Sequence, residues 1–464
     1  MLLLDLVYLF ALILLAPWLT WRAIRTGRYR RDFAAKLFGH ASVLNPQRQP
    51  VAWFHAVSVG EVNLLGTLVP AFRQRHPTWL VVVSSTTDTG LAEARRRFAD
   101  VPVIAWPLDF SWAVASALHS VNPVLVVLTE SEMWPNFLRA AKRSGISVVV
   151  VNARMSPRSF RRLNRAAGLA RRLMFAKVSR FAVQEEDYTK RFLQLGVPAE
   201  KLVTTGSVKY DGAAAQFPAK SRQLGVLLGL PGSQETGSRG QETGQREFLS
   251  PVSCPLSPLI WLAGSTHAPE ESIVLGVFAG LRTRFPHLRL ILVPRHPDRF
   301  EEVARLVEHS GLPFARRSRI VEPLPEMPAV VLLDTVGELG AAWGLADVGF
   351  TGGSLDGHRG GQSMIEPAGY GVPCVFGPHV WNFKDAAKRL VEIGAAIMVN
   401  DAREMEEELG KLLADQELRA RMGTAARELV RRQQGATQRT LDVLDEVIGA
   451  VQLEDFKGSA SRVA

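Results

Sequence analysis

From Val51 onward, short apolar runs alternate with turns and helical stretches. The runs VAWFHA (51–56), WLVVVSS (79–85), PVIAW (102–106), PVLVVL (123–128), ISVVVVN (146–152) and RFAVQ (180–184) are continuous and rich in β-branched residues. Parallel strands covered by helices on both faces read this way. After the first run, Val62, Leu65, Leu68, Val69 and Phe72 recur at helical spacing, which predicts a helix packed on the sheet. The pattern breaks between about 212 and 257, where PGSQETGSRGQETGQ (231–245) is polar, glycine-rich and almost repetitive, as a flexible insert in a linker would be. It resumes with PLIWLAGS (258–265), LRLILVP (288–294), AVVLLD (329–334), ADVGFTGG (346–353) and VPCVFGP (372–378). The prediction is two Rossmann-like, doubly wound α/β domains, facing a cleft at the carboxyl ends of their strands. Residues 403–450 are helical by period, and the last dozen read as a polar tail.

The first twenty residues, MLLLDLVYLFALILLAPWLT, are apolar apart from Asp5, and Arg22, Arg25, Arg28, Arg30 and Arg31 come at once after them. A cleaved secretory signal carries its charge before the apolar core, so this order predicts a retained membrane anchor with the body on the cytoplasmic side. With Pro17 inside it, the run is at the short edge of the ~20 residues a span needs, and a helix lying in the membrane surface is equally open. The expected divisions are 1–21 anchor, 22–212 first domain, 213–257 linker with insert, 258–435 second domain and 436–464 C-terminal helix and tail.

Charge narrows the partners. With 55 Lys+Arg against 45 Asp+Glu the chain is basic, which favours anionic partners. The acid-free run holding Arg154, Arg158, Arg161, Arg162, Arg165, Arg171, Arg172, Lys177 and Arg180 has few aromatics for base stacking and no nucleic-acid-binding signature, so nucleic acid is not expected. A solvated helix face, or a surface for anionic lipid or a phosphorylated acceptor, fits it. Two cysteines make neither a disulfide framework nor a zinc site.

Several post-strand segments carry candidate chemistry. Glu61 ends His55-Ala56-Val57-Ser58-Val59-Gly60-Glu61 at a predicted helix N-terminus, placed either to cap that helix or to take a proton from an attacking hydroxyl. Glu130 and Glu132 come after the strand ending near 128, and alternation puts them on one side if that strand continues. One Glu-x-Glu without histidine is weak support for a metal, so acceptor recognition, support of a base, or a structural role remain. In the second half, Ser265-Thr266-His267, Arg295-His296 and the turn ending Val336-Gly337-Glu338 are placed for phosphate and ribose contacts. The tract from Gly352 to Ala368 lets backbone approach a ligand closely, with Glu366 placed to hold a ribose.

Together these motifs resemble the 3-deoxy-D-manno-octulosonic acid (Kdo) transferases, glycosyltransferase family 30. The matching pieces are HAVSVGE (55–61), TESEMWPN (129–136), NARMS (152–156), VTTGSVKYD (203–211), STH (265–267), LVPRHPDRF (292–300), DTVGEL (334–339), the glycine tract through Glu366, and GPHVWNFKD (377–385). The resemblance implies a GT-B fold and inverting transfer of Kdo from CMP-Kdo to a phosphorylated, acylated lipid A precursor at the inner membrane's cytoplasmic side. It implies no cofactor and no metal. It makes Glu61 the catalytic base, with Glu130 and Glu132 as supporting acids or acceptor contacts. CMP contacts fall on Ser265, Thr266, Arg295, His296, Val336, Gly337, Glu338, Ser363, Met364, Ile365, Glu366 and Asn382.

Two departures stand out: Gly360-Gly361-Gln362-Ser363 where most relatives read GGHN, and Ala268-Pro269 where they read Glu-Gly. An amide donates hydrogen bonds as an imidazole does but carries no charge. A UDP-sugar enzyme of the same fold and a non-catalytic lipid-binding relative are the alternatives.

Overall fold

A computed structural model describes residues 2–26, 32–41, 43, 45–213, 218–230 and 258–460. The insert at 231–245 lies outside the described residues. The chain forms two compact units, one of residues 1–212 and 433–464, the other of residues 213–432.

The first unit is built on strands β1 (Val51–Ala56), β2 (Leu80–Ser85), β3 (Val103–Ala105), β4 (Leu125–Thr129), β5 (Ser147–Ala153), β6 (Arg180–Val183) and β7 (Leu202–Thr204), all parallel, in the order β3-β2-β1-β4-β5-β6-β7. Alternation along β1 sends Trp53 into a layer with Trp106, Phe137 and Phe181 on one face, and Phe54 into a layer with Phe72 and Leu65 on the other. The second layer is completed by Leu441, Leu444 and Val447 of the C-terminal helix Ala436–Ala460. Asp211 holds the entry of that helix by accepting from the backbone N–H groups of Gly435 and Thr437. The segment expected as a polar tail is helical through Ala460.

The second unit repeats the plan with β8 (Leu259–Thr266), β9 (Leu288–Pro294), β10 (Phe314–Arg316), β11 (Val330–Leu332), β12 (Val348–Thr351), β13 (Cys374–Phe376) and β14 (Ala396–Met398), in the order β10-β11-β9-β8-β12-β13-β14. Trp261, Ala263 and Phe350 pack on one face with Phe278 and Leu409; Leu262, Ile291 and Trp343 pack on the other. Each unit has one more sheet edge strand, or two, than the apolar runs predict. β7, β10 and β14 are three residues each and only partly buried, so no continuous apolar run marks them.

In both sheets the connections reverse direction beside the first strand. That switch point lies between β1 and β4 in the first unit and between β8 and β12 in the second. Loops leaving neighbouring strands diverge there and open a crevice at the carboxyl edge.

The N-terminal run needs correction. It is a helix, Leu2–Thr26, but among the described residues no helix is long and apolar enough to cross a membrane. Asp5 is buried and accepts from the Ser111 N–H at 2.9 Å and from Asn136 Nδ2 at 3.0 Å. The Tyr8 hydroxyl donates to Asp109 at 3.1 Å. These polar groups tie the start of the helix to the first unit, and Leu6, Phe10, Ile13, Leu14, Leu15, Trp18 and Trp21 stay exposed.

Candidate functional site

The segments leaving β1 and β4 stand side by side at the first unit's switch point. Ser58 ends the β1 turn in extended conformation and opens the helix Val59–Arg75, whose first turn holds Glu61. The Glu61 carboxylate reaches back toward the turn, as a glutamate in the first helical turn does in a capping box. Oε2 accepts from the Val57 N–H at 3.0 Å and the Thr129 hydroxyl at 2.6 Å, and Oε1 accepts from the Ser58 hydroxyl at 3.1 Å. Glu61 is buried. Burial raises its proton affinity and the charge of Glu130 adds to that, while the three hydrogen bonds oppose; the net shift is upward. The arrangement caps the turn and also leaves a fixed carboxylate that binds a proton more readily than a free one.

The strand does not continue past Thr129. Glu130 takes a left-handed backbone, φ 56°, so strand alternation does not align Glu130 with Glu132. The two are nonetheless in one electrostatic cluster with Glu61. Glu130 pairs with Lys209 at 3.0 Å and Arg154 at 3.5 Å. Glu132 has no such cation among the described residues, and burial, then repulsion from Glu61 and Glu130, pushes it up to about 7. Lys209 owes its place to Asn152 at the end of β5, which accepts from the backbone of Val208 at 3.2 Å.

Sequence reasoning did not single out Thr129, Ser58, Arg154 or Lys209 as site residues. Their only signal was membership in the TESEMWPN, HAVSVGE, NARMS and VTTGSVKYD segments.

At the second unit's switch point the loops after β8 and β12 are joined by a buried carboxylate. Glu270 accepts from four backbone N–H groups: His267 at 3.0 Å, Gly353 at 2.7 Å, Ser354 at 2.9 Å and Leu355 at 3.1 Å. Gly352 is required by this closeness, because a Cβ there would stand 2.6 Å from the Cα of Thr266. Gly360 has φ 80°, and a Cβ on it would run into the Trp381 ring. Asn382 pins the same tract, its Nδ2 donating to the Arg359 carbonyl at 2.8 Å and its N–H to Gly360 at 3.0 Å.

The predicted donor contacts divide. Arg295 and His296 are exposed after β9, and the Arg295 N–H bonds to the Thr266 carbonyl at 3.0 Å. Glu366 lies within electrostatic reach of Arg295, which offsets part of an upward shift caused by burial. Ser265 has φ 56° and Thr266 is buried. Val336 and Gly337 are exposed, whereas the Glu338 carboxylate is engaged by Arg317 at 2.9 Å and by the Thr335 hydroxyl. Ser363 is half-buried. The side chains of Met364 and Ile365 are buried among apolar residues. Among the described residues no group of three His, Cys, Asp or Glu side chains is placed to hold a metal ion.

Residues 28–212 match the family model described as 3-deoxy-D-manno-octulosonic-acid transferase (kdotransferase). The chain is 35% identical to the 3-deoxy-D-manno-octulosonic acid transferase of Bordetella pertussis, over 96% of this chain and 99% of that one. It is 33% identical to the enzyme of that name from Haemophilus influenzae, over 91% and 92%. The chain belongs to the Kdo transferase family. It is therefore a glycosyltransferase. The UDP-GlcNAc 2-epimerase of Neisseria meningitidis, bound to UDP-GlcNAc, is similar in fold, with TM-score 0.53 and 12% identity over 85% of this chain and 99% of that one. At that identity the likeness speaks for the GT-B-like fold of parallel-sheet α/β units and leaves the substrate to the family relationship.

Proposed function

We propose that this Kdo transferase moves Kdo from CMP-Kdo to a hydroxyl of a phosphorylated, acylated lipid A precursor, with Glu61 as the base. The observation that carries this is the Glu61 carboxylate, held by three donors at the β1/β4 switch point with raised proton affinity. A base must reach its proton in a fixed geometry and hold it while the bond forms. Glu61 takes the proton of the acceptor hydroxyl. The hydroxyl oxygen then attacks the anomeric carbon, the bond from that carbon to the CMP phosphate oxygen breaks, and CMP leaves with the bonding pair. Attack opposite the leaving group inverts the anomeric centre.

The neighbouring groups set the base's strength. Glu130 pairs with Lys209 and Arg154, and its charge favours the protonated form of Glu61 once it has accepted. In the second unit, the exposed Arg295 is suited to the phosphate of departing CMP and Glu366 to a ribose hydroxyl.

Two surfaces support a membrane location. The exposed apolar side chains of Leu2–Thr26 suit a helix lying in the interface rather than crossing it. Arg158, Arg161, Arg162, Arg165, Arg171 and Arg172 are exposed in the first unit, as a surface for phosphorylated lipid requires. The proposed location is the cytoplasmic side of the inner membrane.

The test supplies the purified protein with a tetraacyl lipid A precursor and, in parallel, freshly made CMP-Kdo or a UDP-sugar, and reads the lipid by mass spectrometry. Gains of one or more Kdo masses with CMP-Kdo alone are expected. A gain with the UDP-sugar, or with neither donor, contradicts the reading.

A further inference from the structure

The loop after β8 carries a group that the proposed transfer chemistry does not use. His267 is 3% exposed, and its Nδ1 lies 2.6 Å from Nη1 of Arg359. A guanidinium offers only donors and keeps its proton, so Nδ1 is the accepting nitrogen of the pair. The proton of the neutral ring therefore sits on Nε2. That nitrogen is buried and has no hydrogen-bond partner among the described residues.

Buried donors without acceptors are rare, and each asks for an explanation. Its neighbours supply one. The Nε2 side of the ring faces the glycine tract: a Cβ on Gly353 would stand 3.3 Å from Cδ2, the carbon bonded to Nε2. The His296 ring is 5.1 Å away, centroid to centroid.

Burial, then the charge of Arg359, then His296 and Arg295 work against a second ring proton. Asp356 works in its favour, and His267 ends at about 4, so it is neutral at physiological pH. Asp356 also orients Arg359, Oδ2 to Nε 3.1 Å. A neutral donor in a field of positive charge suits an anionic oxygen.

We propose that His267 Nε2–H donates to an anionic oxygen of the bound sugar nucleotide, and that Arg359 is a positioning residue that fixes the required tautomer. This rests on the second unit binding CMP-Kdo, whose phosphate and sugar carboxylate are the two sources of such an oxygen.

The full-length protein is titrated calorimetrically with CMP and with CMP-Kdo, as wild type, His267→Asn and His267→Gln. The glutamine amide nitrogen can stand where Nε2 stood; the asparagine nitrogen cannot. One hydrogen bond to a charged group corresponds to about 10- to 100-fold in affinity, and that loss is expected for His267→Asn, with His267→Gln within about threefold of wild type. Loss for both ligands assigns the contact to phosphate; loss for CMP-Kdo alone assigns it to the carboxylate. A His267→Asn protein that binds both as wild type does, or a His267→Gln protein that loses as much, overturns the proposal. A wild type that binds neither ligand overturns the CMP-Kdo reading itself.

Nitrogen NMR of histidine-labelled protein reads the tautomer directly, free of any folding defect in the His267 variants. Nε2–H is expected for His267 in wild type and Arg359→Lys, and a mixture in Arg359→Met. An Nδ1–H ring in wild type refutes the assignment.

Discussion

Replacing Thr129 by valine keeps the shape of a buried side chain and removes the hydroxyl that donates to Glu61 Oε2 at 2.6 Å. The same hydroxyl lies 3.0 Å from the His55 carbonyl. It has one proton to give, and the shorter bond to a charged acceptor is the stronger use of it. A hydrogen bond to a charged group contributes about 1.5–3 kcal/mol, and 1.36 kcal/mol corresponds to one pKa unit. The bond stabilises the ionised form, so its loss raises the Glu61 pKa by about 1–2 units. Because only ionised Glu61 accepts a proton, the acidic limb of the rate profile moves to higher pH by that amount. The rate above the limb stays near wild type. Initial rates of Kdo transfer between about pH 5 and about pH 9 measure this. An unmoved limb with a rate lowered equally at every pH refutes the reasoning, since Thr129 would then hold the loop without setting the base.

Glu130→Gln should move the same limb the other way. The charge of Glu130 adds to the proton affinity of Glu61, so removing it lowers the Glu61 pKa, and a shift to higher pH in the same assay contradicts the account. Glu270→Gln leaves one acceptor oxygen for four backbone donors and should cost about 2–5 kcal/mol in denaturant unfolding of the second unit, where loss under 1 kcal/mol argues against its role as the loop's tie. Deleting residues 1–20 should reduce flotation with anionic lipid vesicles by about tenfold or more. Turnover of a soluble acceptor should fall by less than about threefold, and the reverse order of effects assigns the helix to catalysis instead.

The fold was legible in the sequence wherever burial is continuous. Buried central strands such as β1, β4, β5, β8 and β9 are continuous apolar runs, and they fix the switch points that position both crevices. The edge strands β7, β10 and β14 are too short and too exposed to leave such a run. Glu61 was legible because a strand, a turn and an amphipathic helix put it at a helix start. Its partner Thr129 was not, being 68 residues away and defined only by sheet order. Alternation failed at Glu130 because the backbone turns left-handed at that residue, a change no apolar pattern records. Glu270 reads as an ordinary first-turn acid, and only the folded loop shows that it gathers four N–H groups. The burial of Met364 and Ile365 was legible in their apolar character, since apolar side chains are the ones most often buried.

The central claim is that Glu61 removes the acceptor proton, and it is tested by comparing wild type with Glu61→Gln in the lipid product assay while measuring CMP binding to both. Glutamine keeps the shape and hydrogen bonds to its carbonyl oxygen but has no basic oxygen. Kdo addition in the wild type, a fall of at least about 100-fold in the variant, and unchanged CMP affinity are predicted. Kdo addition at the wild-type rate by Glu61→Gln would contradict the claim.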